Sequence, residues 1–216
     1  MYLDAQALKP PKIKMRIAGN PPQDIADNFD YHRQLGFFDV HVYDRQRAEA
    51  FLYDYYGREA KSTFVSLRHP AEEADFLRPH LIYAYGGHYL DADIRIRSVR
   101  TFLEHVSCGS HAVFALTAGG LVHNDYFCAE RESPVMSSVI QTILHNCNHF
   151  PGLSIDLKTG PGAFTRGLNR VFYRALAFNA QPPAIRIMQQ DTFDTVFDDF
   201  KPAYKTSGMH WGVTLR

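Results

Sequence analysis

The stretch Tyr83-Ala-Tyr-Gly-Gly-His-Tyr-Leu-Asp-Ala-Asp-Ile94 constrains the fold more than any other part of the chain. A helical pattern with Leu77, Leu81 and Tyr85 on one face runs into Gly86-Gly87. Glycine at that point stops a helix and turns the chain tightly. A short apolar strand through Tyr89 and Leu90 follows at once, and Asp91 and Asp93 stand at its exit. Acids at the C-terminal end of a buried strand belong where open α/β sheets bind their ligands.

The rest of the chain alternates in the same way. Residues 12–18 read as a strand that ends in the turn Gly19-Asn-Pro-Pro22. Asp24 is placed to cap a helix running to about Leu35, and residues 38–43 alternate as a second strand. Residues 45–56 look helical with Gly57 as the stop, 64–67 read as a short strand, and Pro70 opens a helix over 71–85. Strand pieces are expected at 89–91, 94–96, 112–116, 126–129 and 184–188, with helices over 135–144 and 162–177. Residues 191–216 have weak periodicity and read as a closing loop. The pattern predicts an α/β layer fold with a mostly parallel central sheet flanked by helices. Its 216 residues fit a single domain over 1–216.

Composition removes several function classes. Lys plus Arg and Asp plus Glu are both 23, so no global basic field favours nucleic acid. No window approaches the roughly 18 apolar residues of a membrane helix, which leaves only peripheral membrane contact. Cys108, Cys128 and Cys147 show no paired spacing and read as thiols of a reducing, cytoplasmic compartment. The eleven histidines fall into no zinc spacing.

On an extended chain Asp91 and Asp93 share one face about 6–7 Å apart. Their repulsion is then about 2–3 kcal/mol at an effective dielectric of about 20, and a cation at that face reverses its sign. Two solvated loop acids are the plain alternative, since a lone D-x-D is common. Asp75 and Arg78 share a helix face at i and i+3; as an exposed ion pair they would contribute only about 0.2–0.5 kcal/mol.

Taken together, Asp75-Phe-Leu-Arg78 followed by Tyr85-Gly-Gly-His-Tyr-Leu-Asp-Ala-Asp93 resembles the sugar-binding region of the DxD glycosyltransferases. The resemblance is to the family 32 and capsular polysaccharide type, which shares this block with the clostridial glucosylating toxins. Pro11-Lys-Ile13, Phe38-Asp-Val-His-Val-Tyr-Asp44, Asn124, Ser133-Pro134, Thr159-Gly-Pro161 and His210-Trp211 resemble further blocks of that family in the same order. The chain departs from the pattern in its first strand, which lacks the usual aromatic, and at His88, where relatives carry an apolar residue.

The resemblance implies a GT-A fold and a Mn²⁺- or Mg²⁺-dependent retaining transfer of a hexose from a nucleotide-diphosphate sugar. UDP-hexose is the favoured donor and GDP-mannose the next, with a glycan or lipid-linked saccharide as acceptor. It implies Asp93 as metal ligand, His210 as a second ligand or a donor to the diphosphate, and Asp91 on the donor's ribose or sugar hydroxyls or, through water, on the metal. Asp75, Arg78, Gly87, Asn124 and Trp211 would bind the donor. Core packing is the rival role for Trp211, a structural amide for Asn124, and a backbone turn near the acceptor the role for Thr159-Gly-Pro161. The rival functions are an inactive sugar-nucleotide or carbohydrate-binding module and a magnesium-dependent phosphohydrolase, whose D-x-D normally lies near the N-terminus.

Overall fold

The computed structural model describes the backbone of residues 12–16 and the whole of residues 21–106 and 112–200. The chain begins with β1 (Lys12–Arg16), α1 (Gln23–Gln34) and β2 (Asp39–Tyr43). Two long helices follow, α2 (Arg45–Ser66) and α3 (Pro70–Tyr85), and then the short strands β3 (Gly87–Leu90) and β4 (Ile94–Ile96). Helix α4 (Val99–Val106) precedes the hairpin of β5 (Ala112–Leu116) and β6 (Val122–Ala129). Helices α5 (Pro134–His149), α6 (Ile155–Lys158) and α7 (Pro161–Ala177) come next, ahead of β7 (Ile185–Met188), α8 (Gln190–Val196) and β8 (Phe197–Asp199).

Among the described residues six strands form one sheet in the order β2-β1-β3-β6-β5-β7, and β4 pairs with β8 separately. The sheet is mixed: among the described residues β1, β2, β3, β5 and β7 run in one direction, and β6 interrupts the expected parallel arrangement by running against them. β1 runs parallel to β2 and β3, and β5 to β7, but β6 is antiparallel to both of its neighbours. The cause is local: Thr117–Leu121 is too short for a crossover, so β5 and β6 must form a hairpin.

Each face of the sheet carries its own apolar layer. Leu52, Phe76, Leu81, Val139 and Phe164 from α2, α3, α5 and α7 pack with Tyr89, Phe114 and Phe127. Ile25, Phe29, Phe102 and Phe193 from α1, α4 and α8 pack with Leu90, Val113 and Tyr126 on the other side. Tyr89 and Leu90 thus face opposite layers, as the two-residue strand period requires. Helices α5 and α7 touch closely at Gly167, where a Cβ would lie 2.7 Å from Val139 Cα. Ser138 Oγ donates to Gly167 O at 2.8 Å across the same contact.

Several local expectations are overturned. Residues 64–66 are helical rather than a strand; Gly57, at φ 83 and ψ −174, does end the first helical stretch as expected, and a second stretch of α2 resumes beyond this kink and runs to Ser66. Pro22, not Asp24, occupies the N-cap of α1. Helix α4 was not expected, and residues 190–199 form α8 and β8 instead of a loop. β8 exists because β4 supplies a partner far away in sequence, pairing Ile96 with Phe197 and Ile94 with Asp199. Such a pairing leaves no local signal.

Candidate functional site

Helix α3 places two charged residues inside the protein. Asp75 is 5% and Arg78 4% exposed. Asp75 Oδ1 lies 3.1 Å from Arg78 Nη2 and accepts from Asn124 Nδ2 at 2.8 Å, and Thr159 Oγ1 lies 3.1 Å from Oδ2. Arg78 then reaches Asp91 in a fork, with Nη2 3.2 Å from Oδ1 and Nη1 3.4 Å from Oδ2. It also donates to the carbonyls of Asn124 and Ala74, and its guanidinium lies over the Tyr89 ring at 4.6 Å. The exposed ion pair allowed by the sequence is therefore a buried Asp75–Arg78–Asp91 chain. The helix ends on Gly86, at φ 63, where a Cβ would come within 2.8 Å of Arg131 N. This close passage brings β3 directly off α3, and Gly87, at φ 93, is its first residue.

Asp91-Ala-Asp93 forms a turn, not the extended segment expected. Asp91 N–H donates to Asp125 O at 2.8 Å, and Ile94 N–H returns to Asp91 O at 3.0 Å. Asp91 keeps a partly exposed side chain, while Asp93 is buried. Tyr89 Oη donates to Asp91 Oδ1 at 2.8 Å. Desolvation raises the Asp91 carboxyl above the usual carboxylate range; Arg78 opposes this, and the carboxylates of Asp93 and Asp125 add to it. Burial likewise raises Asp75 to about 6 against the pull of Arg78.

Helix α1 clamps this turn with polar side chains that sequence reasoning missed. Asn28 Nδ2 donates to Ala92 O and Ile94 O, each at 2.9 Å, and its Oδ1 accepts from Arg95 Nε at 3.0 Å. Tyr31 Oη donates to Ile96 O at 2.8 Å. His32 Nδ1 lies 2.8 Å from Asn28 O, and its Nε2 accepts from Ile96 N–H at 3.2 Å. That acceptor role requires the neutral ring with the proton on Nδ1. Burial lowers its pKa to about 4; the bond to Asn28 O works the other way and the Arg95 charge adds to the lowering. The unfolded chain binds a proton below about 6.5 that the folded ring refuses, so this contribution to stability falls as pH drops from about 6.5 towards 4. An NMR titration is expected to show His32 neutral at pH 6; a midpoint within one unit of about 6.5 would refute the clamp as drawn. The available signal was polar residues at i and i+4, Asn28 and His32, beside the apolar pair Ile25 and Phe29.

The other missed group lies on β6. Phe114 pairs with Phe127 and Leu116 with Val122, so two steps along β5 match five along β6. The resulting bulge carries His123, Asn124 and Asp125, and bulges re-aim side chains beside active sites. Asn124 turns to Asp75, whereas Asp125 pairs with His123 Nδ1 at 3.0 Å. His123 Nε2 lies 2.9 Å from Gln190 Oε1, and its ring stacks on Phe193 at 4.5 Å. Three polar residues inside an apolar strand were the visible clue.

The structure thus brings Asp75, Arg78, Asp91 and Asn124 into one network, with Asp93 in the same turn. His210 and Trp211 lie outside the described residues. Among the described residues no set of three His, Cys, Asp or Glu side chains is arranged to hold a metal. Mg²⁺-type ions are usually held by one or two carboxylates with substrate phosphates and water, so Asp91 and Asp93 fit such a half-site. A surface depression of about 510 Å³ lined by Tyr53, Lys61 and Ser66 lies elsewhere, on α2, and holds no comparable cluster.

Residues 27–105 match the family model described as glycosyltransferase sugar-binding region containing DXD motif. Asp91-Ala-Asp93 is the only D-x-D in that stretch. No curated protein sequence matches the chain. Among solved structures the chain is similar to the PaToxG glycosyltransferase, at 13% identity and a TM-score of 0.52, over 78% of this chain and 73% of that one. At that identity the likeness is one of fold. No helix of the described residues is long and apolar enough to cross a membrane. Over residues 27–105 the chain is similar to the DXD-containing sugar-binding region of glycosyltransferases, and its mixed α/β fold is similar to that of a solved glycosyltransferase.

Proposed function

We propose that the chain, as one domain over 1–216, is a retaining hexosyltransferase. It takes its sugar from a nucleotide-diphosphate donor, UDP-hexose before GDP-mannose, and passes it to a glycan or a lipid-linked saccharide in a reducing, cytoplasmic compartment. The observation that carries this reading is the buried Asp75–Arg78–Asp91 chain at the exit of β3, inside the matched sugar-binding region. Burying one guanidinium between carboxylates costs desolvation that a structural ion pair rarely recovers. A binding role for the network accounts for keeping it.

Asp75 spends Oδ1 on Asn124 and Arg78, so only Oδ2, beside Thr159, retains capacity for a sugar hydroxyl. Arg78 is fixed on both sides and presents a positioned cation to the sugar–phosphate linkage. Asp91 holds that fork and leaves an edge exposed for donor hydroxyls. Asp93 is the proposed ligand of Mn²⁺ or Mg²⁺, with His210 as a second; Gly87 and Trp211 complete the donor contacts. The bound cation would act as a Lewis acid on the leaving diphosphate. Asp125 and His123 border the same turn and order its backbone.

Turnover of a nucleotide-sugar panel with and without Mn²⁺ tests the reading. Release of UDP or GDP that requires both donor and cation is expected. Donor binding without turnover in any acceptor or in water would instead indicate a binding module, and no binding of any donor by folded protein would overturn the proposal.

A further inference from the structure

Helix α7 and the turn after it carry charge of one sign. From Leu157 to Gln190 the chain contains Lys158, Arg166, Arg170, Arg174 and Arg186 and no aspartate or glutamate, although acids and bases balance over the whole sequence. Arg166, Arg170 and Arg174 follow one another at i, i+4 and i+8, on the side of α7 opposite Phe164, Leu168 and Ala175, which are buried. Among the described residues Arg170 and Arg174 make no ion pair.

Apolar side chains protrude among these arginines. Tyr173 is 71%, Leu176 81% and Phe178 80% exposed, the three most exposed large apolar residues among those described. The end that presents them is built, not frayed. Asn179 adopts φ 49, and Ala180 N–H closes on Ala175 O at 2.8 Å, a left-handed helix cap. Every residue from 176 to 182 is exposed.

We propose that the C-terminal half of α7 and its cap dock the protein on an anionic phospholipid surface. Apolar side chains that project from a helix end enter the headgroup–acyl boundary, and flanking arginines meet lipid phosphates. Charge selects this occupant over a second copy of the chain, because a face-to-face pair sets arginines against arginines. Nucleic acid would use the arginines and leave Leu176 and Phe178 in water. The first turn of α7 adjoins Thr159, which touches Asp75, and the helix is about 25 Å long. Docking by its far end leaves the carboxylate cluster unobstructed, and the inference does not depend on which reaction occurs there.

Vesicle flotation of the whole chain tests this. Binding is expected to vesicles of phosphatidylcholine mixed with phosphatidylglycerol, not to phosphatidylcholine alone, and is expected to weaken as salt is raised. Arg170→Gln with Arg174→Gln should lower the partition about 25-fold, at about fivefold per arginine. Leu176→Ser and Phe178→Ser should each lower it about tenfold. Circular dichroism melts control for folding, which these exposed positions should leave unchanged. No binding to the mixed vesicles, equal binding to both compositions, or unchanged partition in both sets of variants would overturn the proposal. So would dimerisation in ultracentrifugation that Leu176→Ser with Phe178→Ser abolishes, since the face would then belong to a second copy.

Discussion

Arg78→Ala will cost about 3–5 kcal/mol of folding stability at neutral pH, read as a lower urea midpoint. The side chain is 4% exposed and holds two carboxylates and two backbone carbonyls at once. Removing it strands Asp75, itself 5% exposed and already raised to about 6 by burial with Arg78 pulling it down. Without that pull the carboxyl rises further. A folded-state pKa above the unfolded value means that the ionised form opposes folding. The deficit of the variant is therefore largest above about pH 7 and shrinks as pH falls through the raised pKa, when Asp75 takes up a proton. Arg78→Lys should recover only part of the loss, because an ammonium cannot make the fork to Asp91 and to Asn124 O together. A midpoint for Arg78→Ala within about 1 kcal/mol of the parent at every pH would show that the network relaxes at no cost.

The part of this network that was legible in sequence is the part held by short spacings. Asp75 and Arg78 sit one helical turn apart, and the glycines, β3 and the acids follow without a gap, so local geometry nearly fixes their order. Most helix and strand positions could be read for the same reason, from period and from Gly and Pro. What could not be read came from distant pairing. The place of β6 beside β3 depends on partners far apart in sequence, and β8 depends on β4. The roles of Thr159 and Asn124 as partners of Asp75 depend on a bulge and a helix start that only the folded chain brings to α3. The acids themselves were expected on an extended segment; tertiary bonds from Asn28 and His32 bend them into a turn. Polar side chains on a buried helix face look like ordinary surface residues until their partners are known.

Asp93→Asn should lower metal-dependent turnover about a thousandfold while leaving the fold intact. The substitution keeps shape and removes one charge from a turn in which Asp91 already feels Asp93 and Asp125 as neighbours. Lewis-acid stabilisation of a departing diphosphate is worth several kcal/mol, and about 4 kcal/mol corresponds to that loss of rate. The contrast with Asp91→Asn locates the effect. Asp91 accepts from Tyr89 and takes the fork of Arg78, so its variant should lose stability as well as rate. Asp93→Asn should instead lose the Mn²⁺-dependent rise in melting temperature that a ligand of the folded state produces by mass action, with the metal-free melt unchanged. If Asp93→Asn retains both its turnover and its Mn²⁺ shift, the acid turn is not where the cation is held, and the carboxylates serve the Arg78 network alone.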